Sequence, residues 1–316
     1  MIIELPDTTV SKISRALVNV REEGGAVALG RVLTLLIVTR HGAEEEVIEA
    51  ANDASREHPM RVIVVMVGDE GAQPRLDAQI RVGGDAGASE VIVLQAYGLA
   101  GSNTESLVTG LLLPDAPVVA WWPDHPPTTP SASPLGKIAQ RRITDASTRP
   151  YDALRLAALG VNHAPGDTDL AWTRLTHWRE QLAAVLDQPP YEPITEVHVR
   201  GASSSPSTAL LAAWLRLMLD VPVDWQYLSP EEWGEGIKSV RLVRASGEIL
   251  LDRSTPAIAC LHQPGQPDHD LVLPRRTLRE CLAEELRRLD PDVLYGRVIT
   301  EGWQLLGPPV AQERNG

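Results

Sequence analysis

The sequence predicts an α/β protein of two domains, each a mixed, partly parallel sheet with flanking helices. Three observations carry this. Residues 31–67 and 196–228 each run strand, helix, strand, the order that builds βαβ crossovers and a parallel core. Each block is followed by shorter apolar runs punctuated by glycine and proline, as antiparallel additions are. At 316 residues the chain also exceeds what one hydrophobic core usually organises. The expected division is 1–160 for an N-terminal domain with a proline-rich loop, 161–308 for a C-terminal domain begun by a bridging helix, and 309–316 for a disordered tail.

In order, Val10, Ile13, Leu17 and Val20 fall at 3-4-3 spacing after Asp7-Thr8-Thr9, and Gly24-Gly25 stops the pattern, so an amphipathic helix is expected. Arg31–Thr39 reads as a buried strand, 43–56 as a helix with Glu44, Glu45 and Glu46 in its first turn, and Val62–Val67 as a second strand. Between them His58 and Arg61 are placed either to meet an anion or to sit in a proline-bounded turn. Residues 78–82 and 90–95 make an antiparallel pair around Gly83-Gly84-Asp85-Ala86-Gly87. G-x-G-x-x-G spacing is missing there and no helix opens after the glycines, so this is no dinucleotide loop. A helix follows over 104–112.

Val118–Trp122 is β-branched and then aromatic, as a buried strand is. Pro123, Pro126, Pro127, Pro130 and Pro134 then impose a stiff, extended, solvated path. Residues 135–140 form a short helix, and Arg141 and Arg142 lead into Ile143-Thr144-Asp145. An ordered loop of this length in a compact protein is usually functional.

Residues 151–159 read as a helix closed by Gly160. Gly166-Asp167-Thr168-Asp169 reads as the start of another, whose apolar face is Ala171, Leu175, Trp178, Leu182 and Val185. Trp172 lies at the edge of that stripe, while Arg174, His177 and Arg179 face elsewhere. Beyond Pro189-Pro190 come a strand (196–200), a loop (201–205), a helix (206–219) and a strand (223–228). Ser203, Ser204, Ser205 and Thr208 at this helix start can hold a phosphate. Equally, Ser205 at N-cap and Pro206 at N1 satisfy a purely structural rule. Residues 239–244 and 248–252 form a hairpin, 257–261 and 270–273 two more strands, Thr277 caps a helix reaching Leu289, and 292–306 is a weaker last helix.

The net charge of −13 argues against an extended nucleic-acid surface, leaving Arg141-Arg142 and Arg275-Arg276 as local basic sites. Aromatic packing rests on eight tryptophans, since phenylalanine is absent. The N-terminus has no signal-peptide pattern, and the apolar run Val32–Val38 is too short to cross a bilayer. Two cysteines, Cys260 and Cys281, fit a reducing cytoplasm with both thiols free; as a redox pair they lack C-x-x-C spacing. Cys260, His262, His269 and Asp270 match no zinc pattern, so no metal is expected. G-x-S-x-G, GK[ST] and H-E-x-x-H do not occur. Asp124 and His125 beside Trp121-Trp122 can do acid–base work, but no nucleophile accompanies them. The residues therefore point to no catalyst.

PDAPVVAWWPDHPP (114–127), SPLGKIAQRRITDAS (133–147) and PGDTDLAWTRLTHWR (165–179) closely resemble the OpcA family of glucose-6-phosphate dehydrogenase assembly proteins. GRVLTLLIV, HPMRVIVV, GGDAGASEVIVL and ASSSPSTALLAAWL resemble further segments in the same order, with Met60 a departure from the small residue expected there. The resemblance implies a non-catalytic cytoplasmic protein that binds glucose-6-phosphate dehydrogenase, promotes its active oligomer and raises its activity at the entry of the oxidative pentose phosphate pathway. It implies no cofactor of its own, with NADP on the partner enzyme. Redox response through cysteines, described for some relatives, does not map onto Cys260 or Cys281. Trp121, Trp122, Pro126, Pro127, Arg141, Arg142, Trp172 and Arg174 are expected to form or support the partner surface, because Trp and Arg dominate binding energy and rigidity lowers the ordering cost. The rival is a sugar-phosphate enzyme or sensor built on Ser203–Ser205, with His58 or His198 for acid–base chemistry.

Overall fold

A computed structural model describes residues 1–23, 30–69, 71–83, 90–148 and 153–310. The Gly24-Gly25 stop, most of the Gly83–Gly87 connection, the first residues of the helix expected at 151 and the tail from 311 lie outside them. Along the chain come β1 (Ile2–Leu5), α1 (Val10–Glu23), β2 (Leu33–Thr39), α2 (Glu44–Ala54), β3 (Met60–Val67), β4 (Arg75–Arg81), β5 (Glu90–Tyr97) and α3 (Thr104–Thr109). Then follow β6 (Val118–Trp122), α4 (Pro134–Ile138), β7 (Arg141–Thr144), α5 (Ala153–Val161), β8 (Asp167–Asp169), α6 (Leu170–Thr173) and α7 (Thr176–Leu186). The remainder is β9 (Glu196–Ala202), α8 (Pro206–Leu219), β10 (Val223–Leu228), β11 (Ile237–Arg244), β12 (Gly247–Arg253), β13 (Ile258–His262), β14 (His269–Val272), α9 (Leu278–Arg287), α10 (Val293–Arg297) and α11 (Trp303–Leu305). Among the described residues no helix is long and apolar enough to cross a membrane.

Backbone contacts group these elements into two units. Unit 1 holds residues 1–145, 166–168 and 278–291; unit 2 holds 146–165, 169–277 and the chain from 292. Unit 1 is built on an eight-stranded sheet in the order β1-β4-β5-β3-β2-β6-β7-β8. The run β5-β3-β2-β6-β7 is parallel, whereas β1 and β4 join antiparallel at one side. β2, β3 and β6 are almost wholly buried, which is why they read as unbroken apolar runs: both faces are covered. Ile13 and Leu17 of α1 share a buried cluster with Leu36, Ile63, Ile92 and Trp122. On α9, Arg279 and Arg287 reach Asp53 and Glu57 at the end of α2 and just beyond it.

Unit 2 is built on a six-stranded sheet, β10-β9-β11-β12-β13-β14, in which only β9 and β10 are parallel. Its strands alternate buried and accessible residues, so one face is covered and the other is not. The first ten residues of α8 are buried, and from Ala209 to Leu215 they join Val197, Val199, Leu242, Ile249 and Leu251 in one core.

Several expectations need correction. β1 pairs with β4 although IIEL is short and carries no strong strand signal. Arg141 and Arg142, read only as leading into Ile143-Thr144-Asp145, begin a strand, β7, where their charges find buried partners. Asp167–Asp169 is the last strand of the first sheet, not a helix start, and only Asp169 caps, accepting from the Ala171 N–H. The single helix expected across 171–185 is two, α6 and α7, parted at Arg174-Leu175. Gly160 does not stop α5; a Cβ there would lie 2.4 Å from the Ile299 carbonyl oxygen, so it permits close backbone approach.

Candidate functional site

In unit 1 the proline-rich loop leaves the buried end of β6. Trp121 is fully buried and Trp122 almost so; Pro126 and Pro127 are half-buried, and His125 and Thr128 are exposed. The path is extended only to Thr129. A 3₁₀ turn at Pro130–Ala132 follows, and Ser133 then caps α4, accepting from the Gly136 N–H at 3.0 Å and donating to the Pro130 carbonyl at 2.7 Å. A Cβ on Gly136 would come within 1.8 Å of that same carbonyl oxygen, so glycine lets the loop fold back on itself. Arg141 pairs with Glu285 and donates to the Asp290 carbonyl at 2.6 Å. Arg142 pairs with Asp167 and donates to the Ala139 carbonyl at 2.9 Å. Both guanidiniums are buried, so the pair is no basic surface, and replacing it acts first on the fold. These four large side chains back the loop, while His125, Pro126, Pro127 and Thr128 face outward.

The parallel strands of this sheet reverse order between β2 and β6, the place where doubly wound sheets accept ligands beyond the strand ends. Here Arg40 donates to Asp124 at 2.8 Å, and His125 lies 2.9 Å from the same carboxylate. The helix after β2 starts with Glu44, Glu45 and Glu46, and Glu44 takes up the Gly42 N–H. Three carboxylates where a phosphate would sit repel it. His58 is half-buried in the turn before β3 and its Nε2 has no hydrogen-bond partner. Arg61 is not exposed to an anion; it is buried on Glu90 at 2.6 Å.

In unit 2 Trp172 is buried, not at the edge of a stripe. Its indole donates to Asp292 at 2.8 Å, and Arg179 lies over its ring at 3.7 Å from the centroid. Arg174 is half-buried and donates to Ser147 at 3.2 Å. Ser203 and Ser204 are exposed. Ser205 occupies the N-cap of α8, but its side chain accepts nothing from the first turn. Thr208 is buried with its hydroxyl on the Ala202 carbonyl at 3.5 Å, and Ser207 donates to the Ala171 carbonyl at 3.0 Å. The expected quartet of hydroxyls is thus divided between solvent and interior.

Ser205 and Ser207 instead line a small cleft with Arg174, His177, Arg253 and Arg275. Arg253 was not among the expected site residues. Its signal is the alternation Ile249, Leu251, Arg253 in β12, which turns it inward with the apolar residues. It is 3% exposed, and burial pulls its guanidinium down to about 10.

The accessible face of the second sheet carries a wider cleft of about 570 Å³, lined in part by His198, Arg200, Asp224, Arg241, Glu248 and Asp252. His198 is 3.0 Å from Glu196 there, so its imidazole is already engaged. Glu196, His198 and Asp224 form one set with ligand atoms within 4.8 Å of one another, and Cys260, His262 and Asp268 another. Neither Cys260 nor Cys281 is in a disulfide; the first lies in unit 2 and the second is fully buried in unit 1. Partial desolvation and then a hydrogen bond with Asp270 push the Cys260 thiol up, which lowers its thiolate fraction.

Two family profiles match the chain in tandem. One, described as the glucose-6-phosphate dehydrogenase subunit N-terminal domain, covers residues 51–160; the other, described as the C-terminal domain of that subunit, covers 165–299. Curated proteins give no match. Among solved structures the chain is similar to glucose-6-phosphate 1-dehydrogenase from Mycobacterium avium, at 12% identity over 87% of this chain and 91% of that one, with a TM-score of 0.44. It is also similar to UDP-N-acetylglucosamine 3-dehydrogenase from Acidithiobacillus ferrooxidans, at 8% identity over 86% and 96%, with a TM-score of 0.41.

Proposed function

The chain belongs to the OpcA family of glucose-6-phosphate dehydrogenase assembly subunits, and from that premise we propose that it is a non-catalytic cytoplasmic partner of this dehydrogenase. In this reading it promotes the enzyme's active oligomer, raises its activity and so supports NADPH production in the oxidative pentose phosphate pathway. The observation that carries the proposal is the tandem match of both family domains over residues 51–160 and 165–299.

The geometry is compatible with that role. The crevice between β2 and β6 is spanned by Arg40 and Asp124 and bordered by the acidic start of α2, which favours placing NADP on the enzyme. The outward edge of the proline-rich loop is stiff, and its backing is buried tryptophan and paired arginine, so docking there costs little ordering entropy. Pro126 and Pro127 offer direct contact in this proposal. Trp121, Trp122, Arg141 and Arg142 hold the loop.

The test is to mix the protein with the dehydrogenase of its own organism, separate the mixture by size exclusion with light scattering, and assay the fractions. A co-migrating complex of larger dehydrogenase oligomer and raised activity is the expected result. Separate peaks with unchanged activity overturn the proposal.

A further inference from the structure

We propose that unit 2 holds a phosphate-type oxyanion in the cleft between Arg253 at the end of β12 and the first turn of α8, with Arg253 as its buried ligand. Arg253 is 3% exposed. Its Nη2 donates to the Leu273 carbonyl at 2.6 Å, its Nε has no hydrogen-bond partner, and the Trp178 ring lies 5.2 Å away. Among the described residues no carboxylate pairs with it. A buried cation without a counter-charge is costly, and a fold keeps one where something else neutralises it.

The surroundings extend the same charge. Arg174 and Arg275 line the cleft beside Arg253, together with His177, whose Nδ1 lies 3.1 Å from Glu180, and none of the lining residues is acidic. Glu235 does pair with Arg275, from outside the lining. Such a concentration of cations in a chain of net charge −13 is not the general character of its surface. Ser205 and Ser207 bring in the start of α8, a helix of 14 residues whose N-cap side chain bonds nothing in the first turn. The positive end of a helix dipole there adds to the guanidiniums.

Shape selects the anion. The cations and serines come from three sides: the α6–α7 junction, the end of β12 with the segment at Arg275, and the α8 start. That arrangement suits a tetrahedral group with oxygens in every direction better than a flat carboxylate. The enclosed space is about 20 Å³, room for about one water-sized atom, so the cleft admits a single oxygen of such a group beside Arg253 and has no room for a nucleotide. Free phosphate and the phosphate of a sugar ester share this chemistry.

The inference is independent of the dehydrogenase partnership, so it is tested on the full chain alone. Inorganic phosphate, glucose 6-phosphate and glucose are each titrated by calorimetry and followed by thermal shift, with sodium chloride at matched ionic strength as control. Phosphate should raise Tm with concentration where chloride does not, because a ligand of the native state stabilises by mass action. Arg253→Met should weaken phosphate binding at least about ten-fold, the loss expected for a charged hydrogen bond. Arg174→Gln, at a half-exposed position, should weaken it by a smaller factor and covers the case in which the Arg253 variant fails to fold. Tighter binding of the ester than of free phosphate would identify a phosphorylated metabolite as the ligand; equal binding would identify phosphate itself. No heat with either anion, or undiminished binding in both variants, overturns the site.

Discussion

The two units treat buried charge in opposite ways. In unit 1 the buried arginines each meet a carboxylate: Arg61 meets Glu90, Arg141 meets Glu285 and Arg142 meets Asp167. In unit 2 the two buried arginines, Arg244 and Arg253, make no ion pair among the described residues. Arg244 has only a long-range neighbour in Glu192, whose carboxyl is held low chiefly by Ser246 and in part by the Arg244 charge. The sheets differ in the same direction. That of unit 1 has central strands buried on both faces, whereas that of unit 2 leaves one face to solvent. Unit 1 is closed electrostatically and sterically, and its charges serve the fold. Unit 2 carries a charge that the fold itself does not balance, and such a residue is where a ligand is to be sought.

The largest effect that can break this contrast is expected in unit 1. Arg141→Met removes the guanidinium that Glu285, at 5% exposure, pairs with. Breaking a buried pair from one side typically costs about 3–5 kcal/mol, since the remaining charge stays desolvated. Scanning calorimetry should show one transition lowered substantially, and the double variant Arg141→Met/Glu285→Met should recover most of the loss. A single variant as stable as the parent would mean that this pair does not carry unit 1, and the contrast would fail.

The same electrostatics decide what was legible in the sequence. The mixed α/β class with two sheets was readable because β2, β3 and β6 are continuous apolar runs and α1, α8 and α9 keep a helical period. β7 was not. Arg-Arg-Ile-Thr looks like a polar lead-in until Asp167 and Glu285, 25 and 144 residues away, are brought to it, and no local pattern announces a partner at that distance. β1 and β8 are short edge strands that exist by pairing, and the break between α6 and α7 leaves the apolar spacing untouched. At the candidate site, Trp121 and Trp122 were visible as conspicuous aromatics, but their burial was a matter of tertiary packing. Arg253 was legible in principle, by its parity with Ile249 and Leu251; the usual exposure of arginine masks that reading.

In unit 2 the expected changes are smaller and the first has the opposite sign. Arg253→Met removes a desolvated charge and one hydrogen bond, so without ligand the variant should be more stable by about 1 kcal/mol. The folded guanidinium sits at about 10, below its ordinary value in the unfolded chain. The unfolded chain therefore binds more protons between these values, and the penalty on the native state is complete below the lower one. The gain in Tm should be constant from about pH 6 to 9 and shrink only above about 10. A loss on the scale of the Arg141 variant would mean that Arg253 is balanced within the fold, and would erase the difference between the units.

The smallest effect belongs to the accessible face of the second sheet. Arg241 and Glu248 lie 3.0 Å apart there, at 39% and 51% exposure. Water screens such a pair, and fixing two long side chains offsets much of the attraction, so Arg241→Ala should cost no more than about 0.2–1 kcal/mol. Raising the salt concentration should shrink even that difference, because the pair is open to counterions. The comparison with Arg141→Met is the informative one: the same residue type is removed, and what separates the outcomes is whether its carboxylate can turn to water. A large, salt-insensitive loss at Arg241 would show that this face is covered in solution, and the two sheets would no longer differ in the way proposed.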